Sequence, residues 1–145
     1  MSYNSLVDVK IKQIENGMLP VYKTDGAAAA DCFARVKTAV PARGTKIVPL
    51  GFAIELPSNI EAQIRPRSGL ASKGIIAQFG TIDSDYRGEI GAILYNSTDE
   101  DYICEAGDRI SQIVVAPSFK ATFRVAAELN DTERGTDGFG STGIK

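Results

Sequence analysis

Apolar and polar positions alternate with a period of two along much of the chain. In Leu6-Val7-Asp8-Val9-Lys10-Ile11-Lys12, Val7, Val9 and Ile11 fall on one side and Asp8, Lys10 and Lys12 on the other. This is the spacing of a half-buried strand. Similar β-branched segments follow at Thr45-Lys46-Ile47-Val48, Phe52-Ala53-Ile54-Glu55-Leu56, Ala62-Gln63-Ile64-Arg65, Ile90-Gly91-Ala92-Ile93-Leu94-Tyr95, Arg109-Ile110-Ser111-Gln112-Ile113-Val114-Val115 and Thr122-Phe123-Arg124-Val125. Pro41-Ala42-Arg43-Gly44, Pro57-Ser58-Asn59 and Ala106-Gly107-Asp108 punctuate them with turn-forming residues. Short strands at this spacing predict an all-β domain built as a sandwich, jelly roll or barrel. One segment asks to be helical: Ser68-Gly69-Leu70-Ala71-Ser72-Lys73, held to a turn or two by its flanking glycines. At the C-terminus, Arg134-Gly135-Thr136-Asp137-Gly138-Phe139-Gly140-Ser141-Thr142-Gly143 has four glycines in ten residues and predicts a flexible tail.

A length of 145 residues with 43% apolar side chains predicts one domain with a core. Sixteen Lys and Arg against 18 Asp and Glu leave a net charge of −2, which argues against a nucleic-acid partner of the duplex-DNA kind. The chain contains no His, so Ser-His-Asp and Cys-His triads, His acid–base chemistry and His-containing zinc sites are excluded. Two cysteines, Cys32 and Cys104, are too few for a disulfide framework and read as free thiols in a reducing compartment, with a single disulfide between them as the alternative. No signal-peptide pattern and no apolar run of ~18 residues occurs, so no membrane partner is expected and the predicted location is cytoplasmic.

Three segments combine groups suited to a phosphorylated ligand. Arg65-Pro66-Arg67-Ser68-Gly69-Leu70 sets two guanidiniums beside a hydroxyl at a predicted helix start, although arginines near a turn more often make surface ion pairs. Gly80-Thr81-Ile82-Asp83-Ser84-Asp85-Tyr86-Arg87-Gly88-Glu89 places carboxylates, a phenol and an arginine between apolar runs. It reads either as a solvated turn or as the seat of a general base or a cation, and spacing alone does not choose between Asp83 and Asp85. The tail offers close backbone approach at its glycines, hydroxyls at Ser141 and Thr142, a phosphate fork at Arg134 and a stacking ring at Phe139. It lacks the string of a Walker A loop.

Taken in order, these segments resemble the five motifs of the trimeric dUTPase family. Ala28-Ala29-Ala30-Asp31 is similar to the first motif, Arg65 to Ala71 to the second and Gly80 to Glu89 to the third. Gly107-Asp108-Arg109-Ile110-Ser111-Gln112-Ile113 is similar to the fourth, and Arg134 to Gly143 to the fifth. The resemblance spans ~115 residues. Ala29 and Asp137 stand where the family commonly has glycine, and the expectation is that Asp137 faces solvent.

The resemblance implies a distorted β jelly roll or barrel over residues 1–127 and a C-terminal tail, 128–145, that closes over a neighbouring subunit's active site in a homotrimer. It implies hydrolysis of dUTP to dUMP and pyrophosphate, with Mg²⁺ bound mainly by the triphosphate and Asp31 near the cation's waters. Asp83 becomes the general base for water attack on the α-phosphorus, and Tyr86 lies under the deoxyribose, where its ring excludes a 2′-hydroxyl. Ser68 and Gln112 bond the phosphates, with Arg67 and Gly69 nearby. Arg134, Ser141 and Thr142 hold the γ-phosphate, while Phe139, next to Gly140, stacks on uracil. The short Ile75-Ile76-Ala77-Gln78-Phe79 segment is similar to that of eukaryotic and retroviral members, which implies uracil recognition by backbone around Gln78, Phe79 and Gly80, with Ile82 beside them. Two other readings keep the same fold: a dCTP deaminase, whose characteristic motif is absent, and a non-catalytic dUTP-binding regulator.

Overall fold

The protein was described as a computed structural model covering residues 7–140, which form eleven strands and one short helix. The strands are β1 (Lys10–Gln13), β2 (Ala30–Phe33), β3 (Thr38–Val40), β4 (Thr45–Pro49), β5 (Phe52–Glu55), β6 (Ile60–Arg65), β7 (Ile75–Ala77), β8 (Gly80–Ile82), β9 (Gly91–Asn96), β10 (Tyr102–Cys104) and β11 (Arg109–Pro117). Helix α1 (Ser68–Ala71) is a single turn, as its glycines predict. Pairing is antiparallel throughout, in sheets ordered β2-β11-β6-β8, β4-β9-β7, β1-β5 and β10-β3. Small interlocking sheets of this kind are the expected jelly-roll class of fold. Among the described residues, no helix is long and apolar enough to cross a membrane.

Alternation explains the core. Along β6, Ile60, Ala62 and Ile64 are buried while Glu61, Gln63 and Arg65 are partly exposed; along β9, Ala92, Leu94 and Asn96 point inward. The apolar ones among them form one continuous cluster with Val40, Val48, Leu50, Phe52 and Ile110. Fully burying a side chain such as Leu50 or Phe52 stabilises the fold by about 1.5–3 kcal/mol.

Two predicted strands differ in the structure. β1 begins only at Lys10, and Ile11 is exposed because the strand pairs with β5 along a single edge. Residues 122–125 are in no strand, and Phe123 and Val125 are 94% and 99% exposed. β11 ends at Pro117, which has no N–H to extend the ladder, and no strand edge of the described chain receives the segment beyond it. The strands that pattern did not reveal, β2, β3, β7, β8 and β10, are three or four residues long, too short for alternation to register.

One buried polar side chain organises the end of the β4-β9-β7 sheet. Asn96 donates through Nδ2 to the carbonyls of Val40 at 3.1 Å and Glu100 at 2.7 Å. Its Oδ1 accepts from Thr98 N–H at 2.9 Å and Thr98 Oγ1 at 2.7 Å. Asn96→Ala would leave the buried Val40 carbonyl unpaired and remove three part-buried bonds, so a loss of about 3 kcal/mol is expected, read as a lower urea midpoint at unchanged slope.

Candidate active site

The register of β11 decides where the polar residues of its first half lie. Arg109 is opposite Phe33 and Ser111 is opposite Cys32, so Ile110 is an extra residue in the ladder, a β-bulge. The bulge lets adjacent Ile110 and Ser111 both be buried and turns Gln112 to the partly exposed side, with Ile113 again inward. An apolar spacing of three, Ile110 to Ile113, is the sequence signal of this irregularity, since a regular strand would space them by an even number.

Gln112 then lies between Asp31 of β2 and Arg65 of β6. Gln112 Nε2 donates to Asp31 Oδ1 and Arg109 Nη1 to Asp31 Oδ2, both at 3.4 Å, and Asp31 is buried at the strand surface. The Asp31–Arg109 pair carries no signal in the sequence pattern, because the two are 78 positions apart and meet only through strand pairing. Arg65 leads through Pro66 and Arg67 into α1, which places Ser68 and Gly69 at its exposed start. Arg67 is the capping residue but makes no side-chain cap; its Nη1 donates instead to the Arg109 carbonyl at 3.0 Å. Asp31, Arg67, Ser68, Gly69 and Gln112 are therefore brought to one end of the β2-β11-β6 ladder.

Asp83 is not brought there. β8 runs antiparallel to β6, with Gly80 opposite Ile64 and Ile82 opposite Ala62. Ile82 is thus three residues from Arg65 along the ladder, roughly 10 Å at about 3.3 Å per residue, and Asp83 continues away from Ser68 and Gln112. Ile82 buries its side chain in the core, which leaves only its backbone to face outward. Gln78 and Phe79 are exposed just before β8, Phe79 at 73%, and the Gln78 N–H is used by the Ile93 carbonyl at 2.8 Å. Beyond β8, Asp83 is exposed and its carbonyl accepts the Tyr86 N–H at 3.2 Å, which closes the turn. Tyr86 is half-exposed and its phenol donates to the Glu89 carbonyl at 3.1 Å.

The tail folds on itself. Arg134 Nε donates to the Asp137 carbonyl at 2.8 Å, the Asp137 N–H to the Arg134 carbonyl at 3.3 Å and the Gly135 N–H to Thr132 Oγ1 at 3.1 Å. Asp137 is exposed in the single chain, as is most of the tail around it. Phe139 stands fully exposed with φ of 51° beside Gly140 at 78°. Ser141 and Thr142 lie outside the described residues.

The dUTPase family model matches residues 15–143, and proteins named deoxyuridine 5'-triphosphate nucleotidohydrolase align over nearly the whole chain. The chain belongs to the dUTPase family. The Maricaulis maris relative is 44% identical over 97% of this chain and 99% of its own length. That of Treponema denticola is 46% identical over 95% and 99%. The solved structure of Staphylococcus bacteriophage 80alpha dUTPase with dUPNHPP shares the fold at a TM-score of 0.87 and 23% identity, covering 94% of this chain and 99% of that one. A mutant dUTPase from phage phi11 of S. aureus, described with a structural Mg(II) ion, overlays with a TM-score of 0.78 at 19% identity, over 83% and 97%.

Among the described residues of this dUTPase, no cluster of three or more Asp, Glu, His or Cys converges to cage a metal. Asp31 is a lone carboxylate already shared by two donors, so the donor set fits a cation that arrives carrying its own ligands.

Cys32 and Cys104 are both buried free thiols. Burial pushes Cys32 up to about 12, outweighing the neighbouring Ser111 hydroxyl, and Cys104 up to about 11, with Asp108 adding to burial. Both are expected to resist alkylation at pH 8 in the native protein and to react on unfolding. Because the folded state holds the thiols neutral, their contribution to stability is full below the ordinary value of 9.0 and declines as pH rises towards 11–12. Chemical unfolding measured from pH 8 upward checks this.

Proposed function

We propose that this protein hydrolyses dUTP to dUMP and pyrophosphate, at sites each assembled from three copies of the chain. The observation that carries the reading is the strand register: Ser68 and Gln112 lie at one end of the β6 ladder and Asp83 at the other. One phosphate chain held by the first pair is out of reach of a base on the same copy, whereas a neighbouring copy can present its own Asp83. Surface left uncovered by a single chain supports the association. Ile47 and Ile93 are cross-strand neighbours on an exposed face of the β4-β9-β7 sheet, and Phe119, Phe123, Val125 and Leu129 project from the segment after β11. Phe123 and Val125 retain the alternation of a strand whose partner would be another copy.

In this reading Asp83 orients a water and accepts its proton as the oxygen attacks the α-phosphorus; the α–β phosphoanhydride bond breaks and pyrophosphate leaves. Positioned proton transfer of this kind contributes typically ~10²–10⁴ in rate. Arg67, Ser68, Gly69 and Gln112 hold the phosphates, and backbone of Gln78, Phe79, Gly80 and Ile82 reads uracil. Tyr86 closes the space a 2′-hydroxyl needs. The tail, residues 128–145, closes from a further copy, with Arg134, Ser141 and Thr142 at the γ-phosphate and Phe139 on the base, and excludes water. Bound with the triphosphate, Mg²⁺ would neutralise charge on the departing pyrophosphate, with Asp31 reaching it through water. Removing dUTP keeps uracil out of DNA and supplies dUMP for thymidylate synthesis. The free buried thiols support action in a reducing compartment such as the cytoplasm.

Pyrophosphate release is expected from dUTP and not from the four common deoxynucleoside triphosphates; binding of dUTP without release would refute the enzyme reading. Asp83→Asn should retain nucleotide binding and lose at least about 100-fold in kcat. Gln112→Ala should also lose activity. Mixed trimers refolded from Asp83→Asn and Gln112→Ala chains should regain activity, because some sites would combine an intact Asp83 from one copy with an intact Gln112 from another. No recovery in mixed trimers would place both residues of a site on one copy, and an active monomer in sedimentation would reject the trimer.

A further inference from the structure

The loop after β8 contains a glycine that its backbone conformation does not call for. Gly88 is not among the glycines of positive φ, so its φ lies outside the left-handed region that favours this residue. Space is what excludes a side chain. A Cβ on Gly88 would collide with Tyr86 Oη and Cζ and crowd Cε1 at 3.0 Å, so the phenol end of the ring lies where that methyl would be. At Gly17 and Gly51 a Cβ would instead meet backbone, which cannot step aside. At Gly88 the obstacle is the far end of one half-exposed side chain, so a methyl there displaces the ring and leaves the chain in place.

A fixed acceptor holds the phenol in that space. Tyr86 Oη donates to the Glu89 carbonyl at 3.1 Å. This carbonyl shares its peptide plane with the Ile90 N–H, which donates to the Phe52 carbonyl at 2.9 Å, and the Ile90 carbonyl accepts the Leu50 N–H at 2.9 Å. Ile90, Phe52 and Leu50 are buried, so the direction of the acceptor is set by the core. The Glu89 side chain is a separate anchor: its carboxylate accepts Arg35 Nε at 2.8 Å, Nη2 at 3.1 Å and the Gly51 N–H at 2.9 Å, which ties the end of the loop to the β4–β5 turn. On the other side of the ring, the Tyr86 N–H donates to the Asp83 carbonyl at 3.2 Å. With the backbone pinned before and after it, what remains free is rotation of the Tyr86 side chain. The ring reaches the Glu89 carbonyl in this pose because position 88 carries no Cβ.

We propose that Gly88 is a positioning residue that determines sugar specificity: lacking a Cβ, it lets the Tyr86 phenol lie against the backbone and bond the Glu89 carbonyl, which fixes the ring where it closes the space of a 2′-hydroxyl. This rests on the proposed hydrolysis of dUTP with Tyr86 beneath the sugar. Gly88 acts through Tyr86, so its effect falls on discrimination between deoxyribose and ribose and depends on the ring being present.

The experiment compares kcat/KM for dUTP and UTP in wild type, Gly88→Ala, Tyr86→Phe, Tyr86→Ala and the double variant Gly88→Ala with Tyr86→Ala, with thermal unfolding of each. Gly88→Ala is expected to lower the preference for dUTP over UTP about tenfold, because the methyl takes the place of the phenol and turns the ring off its acceptor. Without the ring the methyl no longer meets the three atoms nearest to it, so adding Gly88→Ala to Tyr86→Ala should leave kcat/KM for both nucleotides unchanged. Tyr86→Phe leaves position 88 as it is and removes the hydrogen bond alone, so a fall in preference of about threefold is expected from it even should Gly88→Ala fold poorly. A folded Gly88→Ala variant with the wild-type preference, an equal effect of Gly88→Ala with and without the ring, or a Tyr86→Phe variant of unchanged preference would each overturn the seat while leaving dUTP hydrolysis intact. Wild-type protein inert towards dUTP would overturn the proposed function and the seat together.

Discussion

Strand β11 is hydrogen-bonded along both edges, to β2 on one side and β6 on the other, and the positions of the polar residues follow from that double register. The bulge at Ile110 is the step that sets it. By placing two consecutive residues in the core, it brings Gln112 out beside Asp31 and opposite Arg65, from which the chain turns directly into the Ser68 helix. A one-residue slip would bury Gln112 and expose Ile113, at the cost of both an unpaired amide and lost apolar burial. Core packing and the polar surface around Gln112 are thus settled by the same ladder.

The antiparallel pairing of β8 with β6 has the opposite consequence, since it carries Asp83 away from Gln112. A small domain with short strands has few ways to converge base, phosphate ligands and base-stacking ring within one chain. In the proposed trimer, association would solve this geometrically, and the apolar side chains left outside the core, Ile47, Ile93, Phe123 and Val125 among them, are a physical reason for copies to associate. On a smaller scale, the Arg35–Glu89 fork ties the end of the Tyr86 loop to the turn at Gly51.

Much was legible before any coordinates. Alternation revealed β4, β5, β6, β9 and β11, and the Gly69 and Gly74 flanks limited the helix to a turn. The polar segments at Ser68, Asp83, Gln112 and Phe139 were legible as a family pattern because Arg, hydroxyl, carboxylate and Gly-rich backbone stand there in the order of the dUTPase motifs. The shortest strands were not legible, because three residues do not establish a period. The segment at residues 122–125 has the alternation of a strand yet forms none in one chain, because alternation reports a capacity for pairing and says nothing of whether an edge is within reach.

The sequence by itself determined the all-β class, the chemistry available without histidine and the residues that could serve a nucleotide, since each depends on local composition and short spacings. Tertiary structure alone decided that Asp31 is engaged by Arg109 and Gln112, that Glu89 anchors the Tyr86 loop through Arg35, and that Asp83 lies at the far end of the ladder from Gln112. These are pairings between residues distant in the chain, fixed by strand register and a single bulge, and the energy that selects the register is collective core burial that no short stretch of sequence contains.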